Sequence, residues 1–236
     1  MHKSFSTLFA GAAPNGNVEA VRQFATQAQN SGAHGIVLLG NLAGKKSDPL
    51  AYGEMLKLVG ATNLPGFYIP GPDDAPFHEF LRQAANFELV YPSLRGVHAT
   101  FTIASPHVMV SGMGGRIEDD PRAIRNETEK LSYPGWEAEY RLKFIHELKD
   151  YQKVFLFTAE PAHKGRNEGC STVLAEIIKT HNPRLVLVAG KEHRKEKLAN
   201  SMVVTLDSLS EGNSVLIDIH TLEVKRISLR ESMRAA

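Results

Sequence analysis

The sequence predicts a layered α/β fold, on three observations. Apolar runs such as Gly35 to Leu39, Val154 to Phe157 and Leu185 to Ala189 have the length of buried strands. Segments with apolar residues at helical spacing alternate with them, the pattern of helices packed on sheets. No internal repeat, low-complexity linker or change of composition divides the 236 residues, so residues 1–236 are expected to form one domain.

Taken in order, Ser4 to Ala10 reads as the first strand. Asn15 or Asn17 can cap a helix whose Val18, Val21, Phe24, Ala25 and Ala28 share a face, and Gly32 stands where that helix should stop. Gly35 to Leu39 follows as a buried strand. Asp48-Pro49 supplies a cap and a first-position proline for a helix carrying Tyr52, Leu56 and Val59 to Gly60. Phe67 to Pro70 reads as a third strand. Pro76 opens a helix with Phe77, Phe80, Leu81 and Ala84, after which Glu88 to Tyr91 is expected to return to strand.

The middle of the chain changes character. Val97 to Ile103 and Val108 to Ser111 flank Ser105-Pro106 as an antiparallel hairpin. Arg116 to Tyr133 is polar and charged, a surface excursion with a partly helical stretch. Trp136, Tyr140, Phe144, Ile145 and Leu148 fall on one side of a helix. Another helix, with Val173, Leu174, Ile177 and Ile178, separates the strands Val154 to Phe157 and Leu185 to Ala189. Met202 to Leu206, Ser214 to His220 and Glu223 to Leu229 read as strands closing a second sheet, with a turn at His220 to Glu223.

Composition narrows the function classes. The formal net charge is +1 and no basic stripe is interleaved with aromatics, so no nucleic-acid partner is expected. The apolar runs are too short to span a bilayer and Met1 to Ala10 lacks the pattern of a signal peptide, which predicts no membrane partner and a cytoplasmic location. The one cysteine, Cys170, excludes an intrachain disulfide and reads as a small residue near a helix start. Gly112-Met113-Gly114-Gly115 lacks the spacing of a dinucleotide loop; it reads as a turn that lets the backbone pass close to a pocket.

Five loops carry the functional signal: Ala13-Pro14-Asn15-Gly16, Gly40-Asn41, Gly71-Pro72-Asp73-Asp74, Phe157-Thr158-Ala159-Glu160-Pro161 and Gly190-Lys191-Glu192-His193. Each follows an apolar strand, and ligands in such folds gather outside the carboxyl ends of strands, so the five can converge. Their order resembles the calcineurin-like metallophosphoesterases, whose corresponding loops run Asp-x-His-Gly, Gly-Asp, Gly-Asn-His-Asp or Glu, His-x-Pro and Gly-His-x-His. Ser208-Leu209-Ser210-Glu211-Gly212 is similar to the family's segment after its last histidines, so the resemblance covers nearly the whole chain. It is closest to a bacterial branch in which the ligand set is eroded. The resemblance implies a four-layer αββα sandwich, two mixed sheets flanked by helices.

In an intact member of the family two cations bind phosphate and generate hydroxide, which requires a ring of carboxylates and imidazoles. Here the first-motif aspartate and histidine correspond to Ala13 and Asn15, and the bridging carboxylate to Asn41. Pro72 and Asp73 replace an asparagine ligand and a catalytic histidine, Thr158 replaces the histidine before the proline, and Lys191 replaces the first histidine of the last motif, while His193 matches the second. The resemblance thus implies that Asn41 and His193 are the remaining metal ligands, for one weakly bound manganese or zinc ion if any. A lysine ammonium cannot ligate a cation, so Lys191 is expected to fill the volume of the missing metal, balanced by Asp73, Asp74 or Glu160.

Two function classes follow. The first is a non-catalytic descendant that needs no cofactor and binds a phosphate-containing small molecule or a protein partner through Asn15, Asn41, Asp74, Glu160, Lys164, Lys191 and His193. The second is a phosphoesterase with a divergent, weakly metal-dependent site, using Asp73 or His163 as acid or base. The plainer readings stand beside them. Lys191 to Lys195 and His163 to Arg166 are basic turns of the kind water solvates, Lys45-Lys46 adds to them, and Asp73-Asp74 is a helix cap before Pro76. Homo-oligomers are compatible with the apolar helix faces. The other histidines, His2, His34, His78, His98, His107, His146, His181 and His220, show no ligand spacing and read as surface or packing residues.

Overall fold

The structure, a computed structural model, describes residues 5–44 and 49–229. In chain order the first half contains β1 (Thr7–Ala12), α1 (Val18–Asn30), β2 (Gly35–Leu39), α2 (Pro49–Gly60), β3 (Gly66–Ile69), α3 (Phe77–Val90) and β4 (Leu94–Gly96). The hairpin β5 (Thr100–Ser105) and β6 (Val108–Met113) leads to β7 (Arg116–Glu118), β8 (Ser132–Pro134), α4 (Gly135–Leu142) and a 3-10 turn at Lys143–Glu147. Then come β9 (Gln152–Phe157), the short β10 (Glu160–Pro161) and β11 (Cys170–Ser171), α5 (Thr172–His181), β12 (Leu185–Ala189), β13 (Arg194–Leu198), β14 (Ser201–Leu206), β15 (Asn213–Asp218) and β16 (Val224–Ser228).

Two six-stranded mixed sheets result, ordered β16-β15-β1-β2-β3-β4 and β13-β14-β12-β9-β6-β5. Alternating side chains explain why they stack. Phe9, Ile36, Leu38 and Tyr68 of the first sheet face α1 to α3, while Leu8, Val37, Leu39 and Phe67 pack against Val110, Val154, Leu156 and Leu187 of the second. Met109, Phe155, Phe157 and Val186 on the far side of the second sheet meet Ala138, Leu142, Leu174 and Ile178 of α4 and α5. The order helix, sheet, sheet, helix is the four-layer sandwich expected. No helix among the described residues is long and apolar enough to cross a membrane.

Several elements differ from their sequence reading. The closing strands separate: β14 lies in the second sheet, whereas β15 and β16 join the first beside β1. Glu88 to Val90 stays helical, because Glu88 turns back to accept hydrogen bonds from Tyr68 Oη at 2.6 Å and Gly96 N–H at 2.7 Å, and the strand begins only at Leu94. Asp73-Asp74 does not cap α3; its N-cap is Pro76 and makes no side-chain bond. Trp136 and Tyr140 face outward from α4, whose buried side is Ala138 and Leu142. Arg116 to Tyr133 is not only a surface excursion, since β7 and β8 pair in parallel and bury Ile117 and Tyr133. Ser4, Lys45, Lys46 and Asp48 lie outside the described residues.

Asn17, rather than Asn15, caps α1 by accepting from Ala20 N–H at 3.0 Å. Gly114 meets its expectation as a close-approach glycine, since a Cβ there would stand 1.9 Å from the Pro70 carbonyl oxygen. His98 is a packing histidine: it accepts from Gly114 N–H at 3.0 Å and touches the rings of Phe77 and Tyr133. Burial, with Arg141 adding to it, pushes its pKa down to about 3.

Candidate functional site

β1, β2 and β3 run parallel to one another, as do β6, β9, β12 and β14, and a parallel bridge of Ala12 with Ser208 joins the two sheets at their carboxyl ends. A cleft of about 540 Å³ opens there. All five loops reach it, through Ala13, Gly40 and Asn41, Pro72, Thr158 to Glu160, and Gly190 and Lys191. Convergence is therefore as the strand order implies. Arg116, Glu118, Asp119 and Asp120 line the cleft as well, together with Asn167, Cys170 and Ser171.

The first-sheet loops are fastened to each other. Asp73 N–H donates to Asn41 Oδ1 at 2.9 Å, and Asn41 Nδ2 donates to Asp73 Oδ2 at 3.2 Å. Lys130 lies 3.3 Å from the other Asp73 oxygen. Asn41 holds a φ of 49°, a left-handed conformation that asparagine tolerates better than most residues. Asp74, expected to bind ligand, is fully buried away from the cleft. It accepts from Gly71 N–H at 2.7 Å and Ala43 N–H at 3.2 Å, so it clamps one loop to the next. Burial pushes its pKa up to about 6, although these backbone bonds oppose the rise.

Thr158 lies in the lining. Its hydroxyl donates to the Gly115 carbonyl at 2.9 Å. Gly40, at φ 55°, lies so close that a Cβ there would come within 2.5 Å of the Thr158 methyl. The second-sheet loops carry ion pairs as well. Glu160 pairs with Arg194, and Arg166 grips Glu196 with two bonds of 3.1 and 2.5 Å. Hydrogen bonding from Arg166 holds the Glu196 carboxyl below its usual range despite partial burial.

Asp119 shows why an acidic wall is not an open acidic site. Its carboxylate accepts from Thr172 N–H at 2.7 Å, Ser171 Oγ at 2.8 Å and Val173 N–H at 3.3 Å, and from the Thr172 hydroxyl. It occupies the positive start of α5. Burial raises its pKa, but these hydrogen bonds outweigh burial and the net shift is downward. Asp120 likewise accepts from Arg122 N–H at 3.0 Å. Nothing local in the sequence signals the Asp119 contacts, because they join residues more than fifty positions apart.

Lys191 is exposed on the cleft and makes no ion pair among the described residues. The expectation that Asp73, Asp74 or Glu160 balances it is corrected, since these engage Lys130, backbone amides and Arg194 respectively. Asn15 is exposed beside the cleft and reaches Ser208 Oγ at 3.5 Å. His163 and Lys164 do not line it: they form a tight turn in which His163 and Arg166 exchange backbone bonds. His193 also lies outside the lining. Burial lowers its pKa, the Arg226 guanidinium adds to the effect, and Asp207 opposes it.

A two-metal centre does not fit these residues. Ala13 offers no donor, the Asn41 amide is engaged by Asp73, and the Thr158 hydroxyl donates to a carbonyl. Asn41 and His193, the pair expected to share a metal, are not joined by further ligands: no group of three or more His, Cys, Asp or Glu among the described residues could hold a metal ion.

Comparison with known proteins supports the architecture. A family model described as metallophosphoesterase, calcineurin superfamily, matches residues 45–229. Protein TT1561 of Thermus thermophilus is 44% identical, with a TM-score of 0.91 over 96% of this chain and 100% of that one. A dimetal phosphatase from Danio rerio shares 10% identity and a TM-score of 0.62, covering 96% of this chain and 100% of its own. An archaeal phosphodiesterase shares 10% identity and a TM-score of 0.54, covering 94% and 99%. At that identity the last two likenesses report on the fold alone. No curated protein matches the chain.

Proposed function

The chain belongs to the calcineurin superfamily of metallophosphoesterases, and we propose that it has lost the two-metal hydrolytic centre and uses the cleft to bind a phosphate-containing ligand or a partner. The observation that carries this reading is the commitment of the cleft's polar groups. Asn41 and Thr158, at positions where the superfamily's ligands are expected, bond to the protein itself. Asp119, Asp120 and Glu160 are likewise engaged, while Lys191 faces the cleft unpaired among the described residues. Asp119 and Asp120 keep their negative charges in the lining, so an anion would be held by local donation from the Lys191 ammonium and not by the net charge of the cleft. Arg116, held to Glu118 only at 3.7 Å, adds a second donor in the lining.

The reading assigns no hydrolysis. Hydroxide formation near neutral pH requires a metal or a poised base against substrate, and Asp73 and His163 lie outside the lining. Given one cysteine and a relative in Thermus thermophilus, we place the protein in a bacterial cytoplasm. The test combines elemental analysis with manganese and zinc titration, then thermal shift with inorganic phosphate and nucleotides. Stabilisation by phosphate, reduced in Lys191→Ala, with no response to divalent metal is the expected result. Near-stoichiometric metal lost in His193→Ala, with metal-dependent cleavage of an activated phosphodiester, would overturn the proposal in favour of a divergent phosphoesterase.

A further inference from the structure

The four outer strands of the two sheets are guarded unequally. An open strand edge is a template for pairing, and proteins blunt it with charge, proline or shortness. β13 carries Arg194, Lys195, Glu196 and Lys197, β16 carries Lys225 and Arg226, and β4 has only three residues. β5, Thr-Phe-Thr-Ile-Ala-Ser, has no charge and no proline, and among the described residues it pairs only with β6. Its register against β6 is regular from Thr100 to Ile103 and shifts only beyond that.

An apolar surface continues from this edge. Phe101 and Ile103 point to the same side of β5 and are 41% and 42% exposed. The Phe101 ring lies 5.3 Å from that of Phe144. Tyr140 and Trp136 continue the row at four-residue spacing along α4, 61% and 67% exposed. On the scale of whole aromatic side chains these residues expose roughly 400 Å² of apolar surface, with the Lys143 ammonium 4.3 Å from the Tyr140 ring centroid at its edge. That is about half of what one partner buries in a standard interface, and the strand edge and a polar rim would supply the rest.

We propose that β5 pairs antiparallel with β5 of a second copy of this chain, joining the two second sheets into one of twelve strands. A second copy is favoured because an antiparallel edge is its own complement about a two-fold axis. Centring the pair on Thr102 sets Phe101 of each copy opposite Ile103 of the other, an aromatic and β-branched pair. Charge is compatible as well. α4 carries Glu137 in its first turn and Glu139 at its middle, with Arg141 in its last turn and Lys143 just beyond its end, so an antiparallel neighbour opposes unlike signs, and a net charge of +1 gives little repulsion between copies.

Sedimentation velocity over a concentration series tests the association, and oxidation of Thr102→Cys in a Cys170→Ser background tests the register. Paired strands bring Cα atoms within disulfide reach at the two-fold axis. The expected result is a concentration-dependent dimer, an intermolecular cross-link at position 102, and association weakened about 100-fold by Ile103→Lys, since each copy contributes one substitution. Circular dichroism of Ile103→Lys should match the parent. If that variant misfolds, the cross-link decides. A monomer at every concentration overturns the proposal, and so does a dimer that fails to cross-link at 102.

Discussion

The two flanks of the cleft use their polar side chains differently. On the first-sheet side, Asn41, Asp73 and Asp74 are turned onto neighbouring loops, and Asp74 has no exposed surface at all. On the second-sheet side, Glu160, Arg194, Arg166 and Glu196 pair at the rim with about a fifth to a third of each side chain exposed, and Lys191 is open to solvent. Loops that the family resemblance sets beside metal-binding segments are thus tied to each other around the buried Asp74 on one side and present a charged surface on the other. A buried hydrogen-bonded carboxylate is a stability element, whereas an exposed cation costs little to change.

Asp74→Ala should therefore have the largest effect. It strips the acceptors from Gly71 N–H and Ala43 N–H in a buried setting, a loss of about 2–4 kcal/mol by denaturant unfolding. A change below about 1 kcal/mol would mean that the loops find other partners, and the contrast between flanks would fail. The pH dependence sharpens the same point. The Asp74 pKa is about 6 in the folded chain, above its ordinary value, so the folded state binds the extra proton. Its contribution is fully present below about pH 4 and is lost as pH rises through about 6, by roughly 1–3 kcal/mol. Asp74→Asn should flatten that part of the stability profile; an unchanged slope would assign it to another group.

How much of this is legible in the sequence follows from the range of the interactions involved. Gly35 to Leu39 and Leu185 to Ala189 are readable to the residue, because a short apolar run between turn signals leaves few alternatives. The convergence of five loops follows from strand order. The end of α3 escapes a local reading because Glu88 is held by Tyr68 and Gly96, partners that a local pattern does not reveal. Asp74 is misassigned for a similar reason: a carboxylate before a proline reads as a cap, and only the fold shows it buried against Ala43. Arg116 and Asp119 belong to a segment whose polarity suggests mere exposure, although the sandwich folds that segment over the cleft.

Substitutions of smaller effect probe the boundary between the flanks. Asn41→Gly keeps the left-handed backbone accessible while removing the amide that holds Asp73, and it should cost about 1–2 kcal/mol in the same unfolding experiment. Arg166→Ala breaks a pair on the second-sheet rim with the arginine 36% exposed, and it should cost less than about 1 kcal/mol. Equal costs for the two would erase the distinction between joint and rim.

Lys191→Ala isolates the surface character of the second flank and should have the smallest effect on stability. Its ammonium is exposed and forms no ion pair among the described residues, so the unfolding free energy should stay within about 0.5 kcal/mol of the parent. Phosphate affinity should nonetheless fall about fivefold or more, because a charge-assisted bond to the ligand disappears while the fold stays intact. Calorimetric titration with inorganic phosphate measures that loss directly. A destabilised variant with unchanged phosphate affinity would make Lys191 a joint like Asp74, and the two flanks would then differ in exposure but not in role.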